Sequence, residues 1–484
     1  MNRELRRVSW LVLAMFVALF TAASIIQVGQ ADALYTDSRN TRAIGDQYDV
    51  QRGPILVGGR PVVQSVASKD GYKYQREYAD GPLYASVTGY YAINGAATGI
   101  ESALNQELAG TSNADFLSRL NDTLTGAHPQ GNSVELTIDA KVQKAAYDAL
   151  GGLQGAVVLE EVKTGRILAL VSKPDYDPNV LATHDTNAYL AAYHKLASAA
   201  GDPLVNKAIT DLNPPGSTFK PVVSSAAIGS GAYTKDFPLP NVSSLKLPGS
   251  NTVIHNDNRT TCAGSAKTVS IELAQVFSCN LPFAELGAKL GSAAVKQQAE
   301  LFGFNHEFDI PMPVSKSLYP GYSDAAQLMM SAFGQMDDRA TALQMAMNMA
   351  TIANGGVVMN PTVVDSVLAP DLTVRQAFQA NQFGRAMSAA TAKTETEMLV
   401  KGVEEGTGTN ARISGVSVAG KTGTAQNGAD KPFTLWFTGF APADNPRYAV
   451  SVVVENGGGM NQSGTGNAVA APVARKVLEA VLGK

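Results

Sequence analysis

The sequence predicts an α/β protein in which helices cover a five-stranded antiparallel sheet beside an all-helical subdomain, behind a small N-terminal pedestal and one transmembrane helix. Three observations predict it: five strand-like runs in two sequence-distant groups, helical spacing between those groups, and one long uncharged run near the N-terminus. At 484 residues the chain exceeds one ordinary domain of about 150 residues. Hydrophobic residues make up 45% and charged residues 17%, so most of the chain can bury a core. Lys plus Arg number 38 against 42 Asp plus Glu, and a net charge of −4 leaves no cation surplus for a phosphate backbone. Nucleic acid is therefore not an expected partner. Cys262 and Cys279 are too few for a four-ligand zinc site, and His128, His184, His194, His255 and His306 form no HExxH pair. Neither a metal nor another cofactor is expected.

Residues 1–7 form a short tail carrying Arg3, Arg6 and Arg7, and Val8 to Ile26 then runs without a charge, close to the ~20 residues that cross a bilayer as a helix. A cleaved signal peptide is the rival reading, with Ala31-Asp32-Ala33 as its cleavage site, but a secretory apolar core spans only about 7–15 residues. The arginines keep the tail cytoplasmic, and no comparable apolar run follows, so the rest is expected outside, where there is no cytosolic ATP.

Residues 27–133 are polar and Gly-rich, with turn clusters at Val57-Gly58-Gly59-Arg60-Pro61 and Ile93-Asn94-Gly95-Ala96-Ala97 between short strands, and read as the pedestal. The main domain is expected over 134–484. It opens with an alternating strand, Val134 to Asp139, and a helix, Ala140 to Leu150. Ala156 to Leu159 and Ile167 to Val171 make a hairpin, and Val416 to Ala425, Phe433 to Ala441 and Tyr448 to Glu455 are three late strands. Helices are expected at Ser270 to Phe277, Leu281 to Leu290, Thr341 to Ala353 and Val469 to Leu482, the last with Pro472 in its first turn.

Pro214-Pro215-Gly216-Ser217-Thr218-Phe219-Lys220 is the most informative stretch, because Ser217 opens a helix and faces the positive end of its dipole. Lys220 lies at i+3 on the same face, a base within reach of a nucleophile. An N-cap serine with a solvated lysine is the plainer alternative, and Ser243-Ser244-Leu245-Lys246 repeats the pattern with no helix after it. Ser278-Cys279-Asn280 joins two helices, where a short loop can present a hydroxyl and an amide to a cleft or simply cap the second helix. Lys421-Thr422-Gly423-Thr424-Ala425 ends a strand, with Gly423 allowing a ligand to approach closely. Lys163-Thr164-Gly165 shares its letters at a hairpin tip, and Ser38-Arg39-Asn40 those of the Ser-x-Asn pattern beside the membrane. Gly415 to Thr422 also satisfies the P-loop pattern GxxxxGK[ST], but Val416 and Val418 alternate like a strand and Thr422 to Gly428 cannot start a helix.

Ser217-x-x-Lys220, Ser278-x-Asn280 and Lys421-Thr422-Gly423, in that order, resemble the penicillin-recognising serine transferases. Arg52-Gly53-Pro54-Ile55, Lys163-Thr164-Gly165 through Tyr176-Asp177-Pro178-Asn179, Gly334-Gln335, Thr341 to Ala346 and Ala353-Asn354-Gly355-Gly356 extend the likeness. With one anchor, a pedestal too short for a glycosyltransferase domain and one catalytic domain, the chain is similar to class B penicillin-binding proteins of the short actinobacterial type. The resemblance implies the penicillin-recognising transferase fold and a peptidoglycan D,D-transpeptidase. Ser217 would attack the carbonyl between two D-alanines of a stem peptide, and a neighbouring stem's amine would resolve the ester. It implies Lys220 as base, with the Lys421 cation ~5 Å away lowering its pKa by about two units and desolvation adding to this. Ser278 would pass the proton to the leaving amine, Asn280 would position the substrate amide, and Lys421, Thr422, Gly423 and Thr424 would hold the substrate, with the backbone N–H groups of Ser217 and Thr424 as oxyanion hole. β-Lactams would enter the same pocket. Expected partners are a lipid-linked glycan polymerase and division proteins, at the cell membrane with the catalytic domain outside. A β-lactamase would need a further carboxylate, for which Glu300 and Glu307 are weak candidates. A silent β-lactam sensor or scaffold and a D,D-carboxypeptidase are the rival functions. Cys262 and Cys279, the only two cysteines of an exported domain, are expected to form a disulfide.

Overall fold

The structure, a computed structural model, describes residues 2–30, 34, 48, 50–112 and 130–484. Ala31-Asp32-Ala33, Ser38-Arg39-Asn40 and His128 lie outside the described residues. Helix α1 (Asn2–Ser24) continues through a π-helical turn to Gly29, and its apolar side chains, Trp10 and Phe20 among them, are exposed. By length and composition it can cross a membrane.

Among the described residues two large sheets organise the rest. In chain order their strands are β1 (Ile55–Val57), β2 (Arg60–Ala67), β3 (Tyr74–Tyr78), β4 (Ser133–Leu136), β5 (Gly155–Glu161), β6 (Ile167–Lys173), β7 (Val364–Leu368), β8 (Val374–Ala377), β9 (Ala419–Ala425), β10 (Thr434–Ala441) and β11 (Tyr448–Val454). The helices that matter to the site are α2 (Ala140–Leu150), α3 (Lys220–Gly229), α4 (Ile271–Val276), α5 (Asn280–Leu290), α6 (Ala342–Ala353), α7 (Ala389–Glu404) and α8 (Gly466–Leu482).

The central sheet has the order β9-β10-β11-β5-β6, antiparallel throughout. Alternation along its strands sends successive residues to two cores. Val157, Leu159, Phe437 and Val452 meet Val142 and Ala146 of α2 and Ala474 and Val477 of α8, while Ala156, Val158 and Trp436 face the helical block with α6. Helix α6 is buried over its whole length, being mostly apolar or small, with Gln344, Asn348 and Thr351 hydrogen-bonded internally. The sheet therefore has no solvated face, and β9 sits at its edge.

Three sequence expectations are corrected here. The strand expected from Val416 begins at Ala419, because Gly415 takes φ +71° in a tight turn that closes Val416 N–H on Ile413 O at 3.1 Å. Helix α8 starts at Gly466, not Val469, because Thr465 caps it through Ala468 N, so Pro472 lies in the helix interior and not in its first turn. The Ile93 to Ala97 turn is flanked by helices Gly81–Thr88 and Gly99–Ala103 instead of strands.

The pedestal sheet has the order β8-β7-β4-β1-β2-β3, so it draws strands from both sides of residue 133 and from residues 364–377. Arg52-Gly53-Pro54 locks this sheet. Glu101, fully buried, accepts from Arg52 Nε and Arg76 Nε at 2.6 Å each. Burial alone raises the Glu101 carboxyl, but the two guanidiniums prevail and hold it below the ordinary range. A Cβ on Gly53 would stand 1.9 Å from Asn132 O, so only glycine lets the strands run side by side here. Replacing Glu101 with Ala strands two buried cations and should lower the unfolding free energy by about 3–5 kcal/mol. A calorimetric midpoint equal to that of the parent would show the network to be idle.

Candidate active site

Ser217 stands on a 3-10 turn, Gly216–Phe219, and the α-helix proper begins at Lys220. The hydroxyl is thus one turn ahead of α3, not its first residue, and 3-10 geometry eclipses i and i+3, which aims Lys220 at Ser217 more directly than an α-turn. The turn is held from outside. Gly216 N–H donates to Gly334 O at 2.9 Å and Trp436 Nε1 donates to Pro214 O at 3.0 Å. A Cβ on Gly334 would fall 2.0 Å from Gly216 O, which explains the glycine of Gly334-Gln335.

Lys220 Nζ lies 3.0 Å from Ser217 Oγ, 2.6 Å from Ser278 O, 2.9 Å from Asn280 Oδ1 and 3.4 Å from Ser278 Oγ. The Ser278 carbonyl and Asn280 Oδ1 can only accept, so Lys220 donates to both. A neutral amine has two protons and one lone pair. With both protons engaged, the lone pair is left to face Ser217 Oγ.

Ser278 reaches this point through a left-handed backbone, φ +57°, at the α4–α5 junction, where its own N–H donates to Gln275 O at 3.1 Å and the Cys279 N–H to Ala274 O at 2.9 Å. That conformation is strained for a residue other than glycine, by roughly 1–2 kcal/mol. It turns the Ser278 hydroxyl toward β9, where Lys421 Nζ donates to Ser278 Oγ at 2.6 Å. One hydroxyl therefore stands between two lysines. Thr422 shares a hydrogen bond with Thr407 across 2.8 Å, and Thr424 Oγ1 accepts from Gly466 N at 3.4 Å. Gly423 serves the chain itself and not a ligand: a Cβ there would sit 3.0 Å from Pro215 O and 3.1 Å from Thr218 Cγ2, so its absence lets the edge strand close on the Ser217 turn.

Burial pushes the Lys220 amine well below the ordinary lysine value, the neighbouring Lys421 pushes it further, and Asp257 opposes both. Lys220 is 0% exposed. Desolvation thus outranks the second cation, reversing the weight that the sequence reading gives them. Burial brings Lys421 down to about 7, again against Asp257. Burial thus makes a neutral amine accessible near neutral pH at this site.

The site opens on a cavity of about 430 Å³ lined by Ser217, Ser278, Thr422 and Thr424. Sequence reasoning missed Asp257, Asn256 and Thr407, which also line it, because no periodicity marks loop 256–262. It missed a buried brace as well: Gln275 of α4 donates to Glu395 of α7 at 2.8 Å and accepts from Ser224 of α3 at 3.0 Å, tying together the helices that carry Ser217 and Ser278. The Ser243 to Lys246 decoy ends in a short hairpin strand, Ser244–Lys246, and Lys163-Thr164-Gly165 forms the tip of the β5–β6 hairpin with Lys163 donating to Asn354. Gly415 to Thr422 leads into mid-strand and no helix follows. Glu307 pairs with Lys316 at 3.3 Å and Glu300 with Lys296 at 4.0 Å, and neither lines the cavity.

A family model for the penicillin binding protein transpeptidase domain matches residues 155–479, and one for the penicillin binding protein A dimerisation domain matches residues 52–134. The chain is 41% identical to the peptidoglycan D,D-transpeptidase PbpA of Mycolicibacterium smegmatis, over 100% of this chain and 99% of that protein. Among solved structures, penicillin-binding protein A from M. tuberculosis as its ceftriaxone acyl-enzyme superposes with a TM-score of 0.87 at 39% identity, covering 90% of this chain and 99% of the other. Its penicillin G acyl-enzyme gives 0.84 at 39% identity, over 89% and 99%.

Cys262 and Cys279 are joined in a disulfide, with a sequence separation of 17, beside both Ser278 and Asn280. A loop of that size stabilises by about 3 kcal/mol in the chain-entropy model. Alkylation of the denatured, unreduced protein should leave both cysteines unmodified. Reduction should then slow acylation of the folded protein by penicillin, because the Ser278 loop loses its preorganised geometry; equal rates before and after reduction would count against that role.

Proposed function

The chain belongs to the penicillin-binding protein transpeptidase family, and we propose that its reaction runs through Ser217 as nucleophile and Lys220 as general base. It is a peptidoglycan D,D-transpeptidase of the serine acyl-enzyme type, and β-lactams acylate it. The observation that carries the residue assignment is the buried Lys220 amine, its Nζ 3.0 Å from Ser217 Oγ and within reach of two obligate acceptors. Neutral Lys220 takes the Ser217 proton as Oγ attacks the carbonyl between the two D-alanines of a stem peptide. Backbone N–H groups of Ser217 and Thr424 receive the developing oxyanion. The proton passes from Lys220 through the Ser278 hydroxyl, 3.4 Å away, to the departing D-alanine amine, and the Lys421 contact at 2.6 Å keeps that hydroxyl oriented. Lys421 as a cation, with Thr422 and Thr424, holds the substrate carboxylate, Gly423 permits the strand's approach, and Asn280 positions the stem amide. The amine of a neighbouring stem then attacks the ester, Lys220 takes its proton and hands it to the departing Ser217 Oγ, and the cross-link is made with Ser217 and neutral Lys220 restored.

A β-lactam forms the same ester and stays. Neither Glu300 nor Glu307, the two carboxylates that the sequence offered for activating water, lines the cavity. Helix α1, with Arg3, Arg6 and Arg7 in its first two turns, supports a cytoplasmic N-terminal end, an external catalytic domain and partnership with a membrane-bound glycan polymerase and division proteins.

Ser217→Ala should abolish the penicillin adduct in an intact-mass measurement, whereas Ser243→Ala should leave it unchanged; labelling at Ser243 in the parent would overturn the assignment. For topology, protease added to intact spheroplasts should degrade residues beyond α1. Protection until the cells are lysed would refute the external placement.

A further inference from the structure

We propose that Asp257 is a positioning residue for acylation of Ser217: its carboxylate fixes the orientation of the Asn280 amide toward Lys220 and supplies the negative charge that the two buried lysines face. This rests on the assignment of Ser217 and Lys220 made above. Asp257 Oδ1 accepts from Asn280 Nδ2 at 3.0 Å, while Asn280 Oδ1 accepts from Lys220 Nζ at 2.9 Å. Turning the Asn280 amide over would set oxygen against carboxylate and N–H against N–H. The carboxylate therefore selects the one orientation in which Lys220 spends a proton on Asn280 and keeps its lone pair for Ser217.

The loop that carries Asp257 is fastened to the same helix on both sides. Asn256 Oδ1 accepts from the backbone N–H groups of Asn280 at 2.9 Å and Leu281 at 3.1 Å, so a residue outside α5 caps its first turn. Past Asp257, Asn256 Nδ2 donates to Thr260 O at 2.9 Å, and Cys262 is tied to Cys279. Asn241 grips Cys262 through its backbone N–H at 2.6 Å and its carbonyl at 2.7 Å. An exposed aspartate is thus held in place by a built support.

Its charge has no competitor. Among the described residues lining the cavity Asp257 is the one carboxylate. Helix α3 contributes Lys220 and β9 contributes Lys421, while the α4–α5 junction offers only the neutral Ser278 and Asn280. Arg259, on the same loop, is exposed and has no part in the cavity wall. Glu395 lies behind α3 and α4, screened by Gln275 and Ser224, and burial pushes its carboxyl up to about 8. Asp257 raises the proton affinity of both Lys220 and Lys421. Without it both amines lose their protons at lower pH, and the pH profile of acylation moves to lower pH as a whole.

The test is the rate of acylation by a labelled penicillin across pH, with the full chain in detergent. Asp257→Asn keeps an acceptor for Asn280 and removes the charge, so its profile should shift to lower pH. Asp257→Ala removes both and should also lose about tenfold at the plateau as the amide swings free. If Asp257→Asn does not fold, Asp257→Ser carries the same expectation. A profile that coincides with the parent's, or moves to higher pH, overturns the proposal. An unmoved profile with a longer-lived adduct also overturns it, making Asp257 a base that activates water. A parent that forms no Ser217 adduct overturns the assignment beneath, and the proposal with it.

Discussion

Two lysine amines cannot both stay protonated in one dry pocket, and the rest of this structure is arranged around that constraint. Lys220 and Lys421 are 0% and 2% exposed, and each makes contact with the same side chain, Ser278. Desolvation penalises the charge on each, and their mutual repulsion penalises having two. Burial first and the Lys421 charge second push Lys220, which has two acceptors and Ser217 beside its nitrogen, well below the ordinary lysine value. The other, buried on the edge strand beside Thr422 of the cavity wall, is brought by burial to about 7. A nucleophile, a base and a carboxylate receptor therefore follow from where two amines are buried. No metal or cofactor chemistry is invoked to activate the serine.

Burial of this kind demands a rigid surround, because any opening that admits water restores the ordinary lysine pKa. Five features supply it. Gly423 and Gly334 let β9 and the segment at 334 press on the Ser217 turn without a side chain between. The disulfide and Asn256 bind loop 256–262 to α5. Hydrogen bonds from Ser224 to Gln275 and from Gln275 to Glu395 tie α3, α4 and α7 together behind the site. The left-handed Ser278 persists because all of these over-determine it.

The central sheet and the covering helices are legible in the sequence because their signal is local: residues 156–159 are a short apolar run, and α6 is apolar but for Gln344, Asn348 and Thr351. The Ser217, Ser278 and Lys421 motifs are legible for a different reason, since each needs a particular residue type at fixed short spacing. What brings them together is not legible. The Lys421 to Ser278 contact spans 143 residues of chain, and the pedestal sheet is completed by β7 and β8, from residues 364–377, whose pairing with β4 no window near residue 133 can reveal. Asp257 escaped for the same reason, being a polar loop residue until the fold sets it against Asn280. The start of α8 was misplaced because Thr465 caps it through a single hydroxyl, a weaker mark than the apolar spacing that begins at Val469.

Volume is a poor guide to where the chemistry lies. A hollow of about 500 Å³ between helices Gly81–Thr88 and Gly99–Ala103 of the pedestal and residues 203–210 exceeds the ~430 Å³ of the Ser217 cavity. Hydroxyls line it too, but Ser86 donates to Leu170 O, Ser172 to Val205 O and Thr210 to Asn206 O. Each of those protons is held by a carbonyl, and among the described residues no lysine or histidine lines that wall. Ser217 differs in one respect that cavity size does not register: the partner of its hydroxyl is an amine from which the fold has already removed the incentive to be charged.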